Sequence, residues 1–292
     1  MDEPRHAVAR LLGELRTISR TTVGRGDETG HTWFGAHRDH LSATLRDSLT
    51  EPEPAVALFA EVWPVVPVEV NEAWARDLLD AGAELAAVLP TSLLLATGFR
   101  RAAASLRLRG ALRLAAVAGM RELAIHRLRD DDPDTAAAAL GDLAATYRAQ
   151  GRLHKVVGCA DEALELYLLH DDRPGTAAAL VHLGALMLEV SRHDSAVKYL
   201  SRADKLFTEL DDPAGRAACL PELGRALWLS GNRAEAYRRF NRAIGLLIGT
   251  GGDATRSVRD RIRELEEGDR AATDDPSHPG GAGGGTRQPR TW

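Results

Sequence analysis

Three stretches of this 292-residue chain are near-copies of one another, each forty residues from the next. They read DDPDTAAAALGDLAATYRA (131–149), DDRPGTAAALVHLGALMLE (171–189) and DDPAGRAACLPELGRALWL (211–229). A period of that length marks a repeat architecture, in which each supersecondary unit buries its apolar face only against its neighbours. Matching positions carry matching residue types: Leu140, Leu180 and Leu220; Leu143, Leu183 and Leu223; Ala144, Gly184 and Gly224. The second half of each copy keeps step through Val156, Ala196 and Ala236, then Ala160, Leu200 and Phe240. Ala163, Ala203 and Ala243 follow, and Leu166, Leu206 and Leu246 close the series.

The apolar positions are helical in spacing. Leu180, Leu183, Met187 and Val190 keep the rhythm of one helix face, and Ala196, Leu200, Ala203 and Leu206 keep that of a second. Turns fall between them at QGRL, VSRH and SGNR. Each copy therefore reads as a helix, a tight turn and an antiparallel helix. The first helices are expected near 134–149, 174–190 and 214–230, and their partners near 154–170, 194–210 and 234–248. A composition rich in Ala, Leu and Arg agrees, since these residues lose least on entering a helix. The small residues at 144, 184 and 224 and at 163, 203 and 243 let helix axes approach. Asp172 and Asp212 stand where a carboxylate can accept from the free N–H groups of the next helix and suits its dipole.

The order large-x2-large-small-x2-large, then small-x3-large-x2-small, resembles the tetratricopeptide repeat. Here it is carried by Leu180, Leu183, Gly184 and Met187, then Ala196, Leu200 and Ala203. The resemblance covers about 131–248 and departs in length, forty residues against the family's usual repeat of about 34. Longer repeats with acidic connectors are similar to the repeat regions of actinobacterial transcription regulators. Those include the antibiotic-regulatory proteins and the signal-transducing ATPases with nucleotide-binding domains. The fold implied is all-α, a right-handed α-solenoid of antiparallel helix pairs with about 40-residue units, its concave groove lined by the first helices.

Upstream the pattern decays. The stretch 107–132 aligns with 148–172, so that Gly110 matches Gly151, Leu123 matches Leu164 and Ile125 matches Leu166, now forty-one apart. Residues 91–130 therefore read as a degenerate repeat, and 71–89 as a helix with Asn71 as N-cap. Residues 33–49 and 53–63 read as an irregular hairpin, ended by Pro64 and Pro67. The expected organisation is an N-terminal helix and flexible joint over 1–30, degenerate helical repeats over 31–130 and three clear repeats over 131–250. A capping helix at 251–268, amphipathic through Val258, Ile262 and Leu265, and a disordered Gly/Pro-rich tail at 269–292 complete it.

Chemical motifs are sparse. Nothing matches the phosphate-cradling G-x4-G-K-[ST] loop, so the chain does not resemble a complete ATPase regulator. A net charge of −5 and a pI of about 6.1 give no support to direct nucleic-acid binding. The charged N-terminus has no apolar signal core and no stretch suits a membrane span, so a cytoplasmic location is expected. Cys159 and Cys219 are sixty residues apart and read as small buried apolar residues of a reducing compartment. His31, His37, Asp39 and His40 lack a metal-ligand spacing and read as polar helix surface beside Trp33, Phe34 and Leu41. No catalytic residue, metal or cofactor is expected.

The resemblance implies groove positions on the first helices: Gly141, Ala145, Arg148 and Ala149; Val181, Ala185, Leu188 and Glu189; Pro221, Arg225, Trp228 and Leu229. The residues expected to bind a partner are Arg148, Val181, His182, Leu188, Glu189, Arg225 and Trp228. His182 shares a row with Asp142 and Glu222, which is either a paired polar row or a solvated column. Trp228 either joins the groove or packs against the terminal helix. Pro221 in mid-helix removes one backbone bond and bends the helix. The leading functional expectation is a non-catalytic scaffold holding a protein or peptide in its groove, in regulation or signalling, with room for self-association. The alternative is a ligand- or peptide-sensing module of a transcriptional system controlling secondary metabolism, and an enzyme on a helical scaffold ranks below both.

Overall fold

A computed structural model describes residues 3–21, 28–67, 69, 71–129, 132–248 and 252–274. Among them stand thirteen α-helices and one short 3-10 turn, with no strand. None of the described helices is long and apolar enough to cross a membrane. The chain divides into two compact units, Met1–Asp172 and Arg173–Trp292. The boundary falls after the first clear repeat, so the three copies expected over 131–250 are shared between the units.

The N-terminal unit holds α1 (Glu3–Thr21), α2 (Glu28–Arg46), α3 (Pro52–Val62), α4 (Glu72–Val88), α5 (Leu93–Leu108), α6 (Leu112–Arg129), α7 (Pro133–Ala149) and α8 (Leu153–Leu169). Its centre is α3, where every residue from Ala55 to Ala60 is buried. A helix apolar on all sides must be surrounded, and α3 packs chiefly on α1 and α5 while α2 packs chiefly on α4. The pairing of 33–49 with 53–63 expected from sequence is thus subordinate to these contacts. Phe59 anchors the centre, with Phe99 and Trp63 edge-on at ring distances of 5.0 and 5.9 Å. Gly82 and Gly98 make room for it, since a Cβ at either would lie 2.6 or 2.7 Å from the ring.

Helix α1 is part of this core through Val8, Leu11 and Leu15, and Arg16 meets Glu61 of α3 at 3.2 Å. The joint expected to run to residue 30 is shorter, because Glu28–Gly30 already belong to α2 and Gly30 is buried. Residues 22–27 lie outside the described residues. Asn71 caps α4, its side chain accepting from the Ala73 N–H at 2.8 Å. Helices α5 and α6 form the degenerate hairpin expected at 91–130.

The C-terminal unit holds α9 (Arg173–Glu189), α10 (His193–Glu209), α11 (Pro213–Leu229), α12 (Arg233–Leu247) and α13 (Gly252–Asp274). Successive helices pair and stack in the manner of an α-solenoid, α9 with α10 and α11 with α12. The helices of the repeats begin and end within about a residue of their sequence periodicity. What stops them is a residue in the left-handed region every twenty positions: Gly151, Asp171, Ser191, Asp211 and Gly231, with φ of 71°, 53°, 56°, 53° and 88°. After each, the next N–H reaches back five residues, as in Arg192 to the Met187 carbonyl at 2.8 Å and Asp212 to that of Phe207 at 2.9 Å. That is the Schellman closure of a helix end. The paired aspartates divide two tasks. Asp211 ends α10 with positive φ, and Asp212 caps α11 by accepting from the Gly215 N–H at 2.8 Å.

The small first-helix residues act as expected. A Cβ on Gly184 would lie 2.4 Å from Leu200 Cγ, and one on Gly224 would lie 2.7 Å from the Phe240 ring. The expected end of the cap at 268 is corrected, because α13 runs on to Asp274. Asp269 is held there by Arg233 of α12 at 2.6 Å. The rest of the expected tail, 275–292, lies outside the described residues.

Candidate binding face

In the C-terminal unit the first helices α9 and α11 touch each other directly, so their matching positions adjoin. On α9, Val181 and Ala185 are half-buried, Leu188 is buried at 5% exposure, and His182 and Glu189 are exposed. On α11, Pro221 and Arg225 are half-buried, Trp228 is buried at 5% exposure and Leu229 is exposed. Arg148 is exposed on α7 of the N-terminal unit. The structure thus brings six of the seven expected residues into one unit. Among them Leu188 and Trp228 are mostly spent on packing and offer little free surface.

The reason for Trp228 is visible in its neighbours. Its indole meets the Tyr237 ring edge-on at 5.3 Å, and the Arg233 guanidinium lies 5.6 Å from its centre. Both belong to α12, and Arg233 also holds Asp269 of α13, so Trp228 is built into the corner where the last helices meet. Arg225 faces Glu222 at 3.7 Å, and Arg261 of α13 reaches the same carboxylate. Glu222 therefore pairs across helices, while His182, one repeat earlier in the same row, is exposed. Helix α11 continues through Pro221.

A buried ionic group escaped the sequence reading. Asp204 is 8% exposed on α10 and accepts from Arg216 Nε of α11 at 3.0 Å and Arg239 Nη1 of α12 at 3.3 Å. The matching residues one repeat to either side are Leu164 and Ile244, and a lone carboxylate in an apolar column was the available signal. Burying one partner of such a group without the others would be costly, so the three fix how α10, α11 and α12 register.

The N-terminal unit has its own buried carboxyl. Glu122 of α6 is 2% exposed and stands 4.0 Å from His126. Burial pushes it up to about 7, with Asp142 pushing the same way and Arg100 opposing. The thiols of Cys159 and Cys219 are buried, and burial raises them to about 11 and about 12. That is the reverse of what an activated nucleophile needs. Of the expected histidine group, His37 turns to Glu14 of α1 at 3.3 Å, while His31 and His40 are exposed. Among the described residues no three His, Cys, Asp or Glu side chains stand together as a metal would need.

Comparison with known proteins agrees at the level of the repeat. Residues 134–209, about a quarter of the chain, match the tetratricopeptide repeat family. No curated protein matches the sequence. Among solved structures the chain is similar to BtubC from P. vanneervenii, at 19% identity and a TM-score of 0.48, over 74% of this chain and 91% of that one. It is similar also to a Podosopora anserina protein described as a kinesin light chain with nearly identical TPR-like repeats, at 15% identity and a TM-score of 0.47, over 74% and 97%. Aspartyl phosphate phosphatase F from Bacillus subtilis matches over 93% of this chain and 81% of its own length, at 9% identity and a TM-score of 0.49. What these findings carry is limited to the repeat: residues 134–209 match the tetratricopeptide repeat family, and the copy at 211–229 continues the same forty-residue period.

Proposed function

We propose that the chain is a non-catalytic scaffold that holds a protein or peptide partner against the first helices of its repeats, in the cytoplasm and in a regulatory role. One observation carries this reading. The large residues that recur unchanged, Leu180 and Leu220 and Leu183 and Leu223, are buried, whereas outward positions such as His182 and Glu222 or Glu189 and Leu229 differ, the small exposed Ala178 and Ala218 being shared. A surface whose packing letters repeat and whose outer letters do not is suited to recognition. Glu189, His182, Val181 and Arg225 supply the accessible chemistry, Leu188 and Trp228 the floor beneath it, and Arg148 is the matching position in the N-terminal unit.

The test is affinity capture from the native host with the parent chain and with a Glu189→Lys/Arg225→Glu variant, read by mass spectrometry. The expected result is a protein retained by the parent and lost by the variant. Identical retention by both would exclude this face. A second reading, a sensing module of a transcriptional system of the actinobacterial kind, gains support from the cleft between α11 and α13 described next. A partner that is itself a DNA-binding regulator would favour it.

A further inference from the structure

A cleft of about 560 Å³ lies within the C-terminal unit, between α11, the end of α12 and α13. Ligand pockets commonly hold roughly 300–1,000 Å³ and are mostly apolar with a few placed polar groups. This one has that composition. Ala217, Ala218 and Pro221 line its α11 side, Leu246 its α12 end and Val258 its α13 side, and among the described residues its only charged lining is Glu222 and Arg261. We propose that this cleft binds a small apolar molecule carrying one anionic head group.

Two features point to that chemistry. The first is charge. Glu222 is shared between Arg261 and Arg225, the latter at 3.7 Å. One carboxylate cannot neutralise two guanidiniums, so the pair leaves donors and positive charge over. The Arg261 side chain is 35% exposed and the Glu222 side chain 23%, so the group is partly dried, and an anion there is screened less than at the open surface. Of the neighbouring acids on α13, Asp253 is matched by Arg256 at 3.2 Å and Asp260 by Arg263 at 3.1 Å, while Glu264 lines an adjoining polar recess with Arg261 outside the apolar cleft. A guanidinium carries five N–H donors in a planar fork, which suits a carboxylate or sulfonate.

The second feature is the backbone. Pro221 has no N–H, so the Ala217 carbonyl four residues before it receives no helical hydrogen bond from that position. Both residues line the cleft. A proline there removes one rung of the helix at the wall of an apolar recess. The cleft shares Pro221 and the Glu222 carboxylate with the proposed partner face, but the probe readout needs no partner, so failure of the site and failure of partner capture are told apart by separate measurements.

Two fluorescent probes of one shape test the site on the full chain. 1-Anilinonaphthalene-8-sulfonate has an apolar body and a sulfonate, and N-phenyl-1-naphthylamine has the body alone. The sulfonate probe is expected to saturate one site per chain. Arg261→Gln should weaken it by about tenfold, worth roughly 1.4 kcal/mol, and leave the neutral probe unchanged. Glu222→Gln, which releases Arg261, should tighten the sulfonate probe. Ala218→Leu adds bulk at an exposed position of α11 and should abolish both. Opposite signs for Arg261→Gln and Glu222→Gln cannot come from general loosening, which would shift both the same way. Absence of a stoichiometric site, equal signs for those two variants, or probe binding that survives Ala218→Leu would each overturn the proposal.

Discussion

Position 184 admits no side chain, because Leu200 Cγ stands 2.4 Å from where a Cβ would go and Leu200 is itself fully buried. Gly184→Ala is expected to destabilise the fold by about 1–3 kcal/mol through overpacking, read as a lower urea midpoint. The left-handed helix ends give the converse case. Ser191 holds a φ of 56° that favours glycine, so Ser191→Gly should raise stability by several tenths to about 1 kcal/mol. Gly151→Ala, with nothing within 4 Å of the added methyl, should lower it by a similar amount through the backbone alone. Glu122 makes stability depend on pH. Its carboxyl keeps its proton up to about 7 in the folded chain, against an ordinary value of about 4.3 when unfolded. Its contribution is therefore complete below the lower value and is lost as pH rises through the upper one. Glu122→Gln should match the parent near pH 4.5 and exceed it by about 1–3 kcal/mol near pH 8.5, and an equal difference at both pH values would refute the assignment.

At the scale of helices, each repeat is bounded by signals only a few residues long. Asp212 offers its carboxylate to the Gly215 N–H at 2.8 Å, and Asp212→Ala should cost about 1 kcal/mol in thermal unfolding. These elements were legible because the forty-residue period states the same helix three times, and the errors of one copy are corrected by the others. The hairpin of 33–49 with 53–63 was not, since α3 is apolar on every face and periodicity cannot tell which neighbour such a helix chooses. The extension of α13 to Asp274 escaped for another reason: its last turns are polar, and it is tied down by the Arg233–Asp269 pair, which no hydrophobic pattern reveals. Within the candidate site, the repeat placed the expected residues of the C-terminal unit on α9 and α11 but could not say that Leu188 and Trp228 are used up in packing. Trp228 is taken by Tyr237 and Arg233, residues beyond its own helix. Arg261, one repeat after Pro221, was passed over because α13 read only as a cap.

At the scale of the whole chain, the positions that repeat and those that do not have different surroundings. Buried Leu180 and Leu220 and Leu183 and Leu223 recur to build the stack, and under the proposed function the outward positions that differ, His182 against Glu222 and Glu189 against Leu229, are the ones that would meet a partner. Hydrogen exchange on the chain with its captured partner tests this most directly, because it reads every helix at once. The account predicts added protection in peptides covering 178–189 and 218–229, on α9 and α11, with those of α10 and α12 unchanged. Protection confined to α10 and α12, or none on the first helices when the partner is bound, would contradict it.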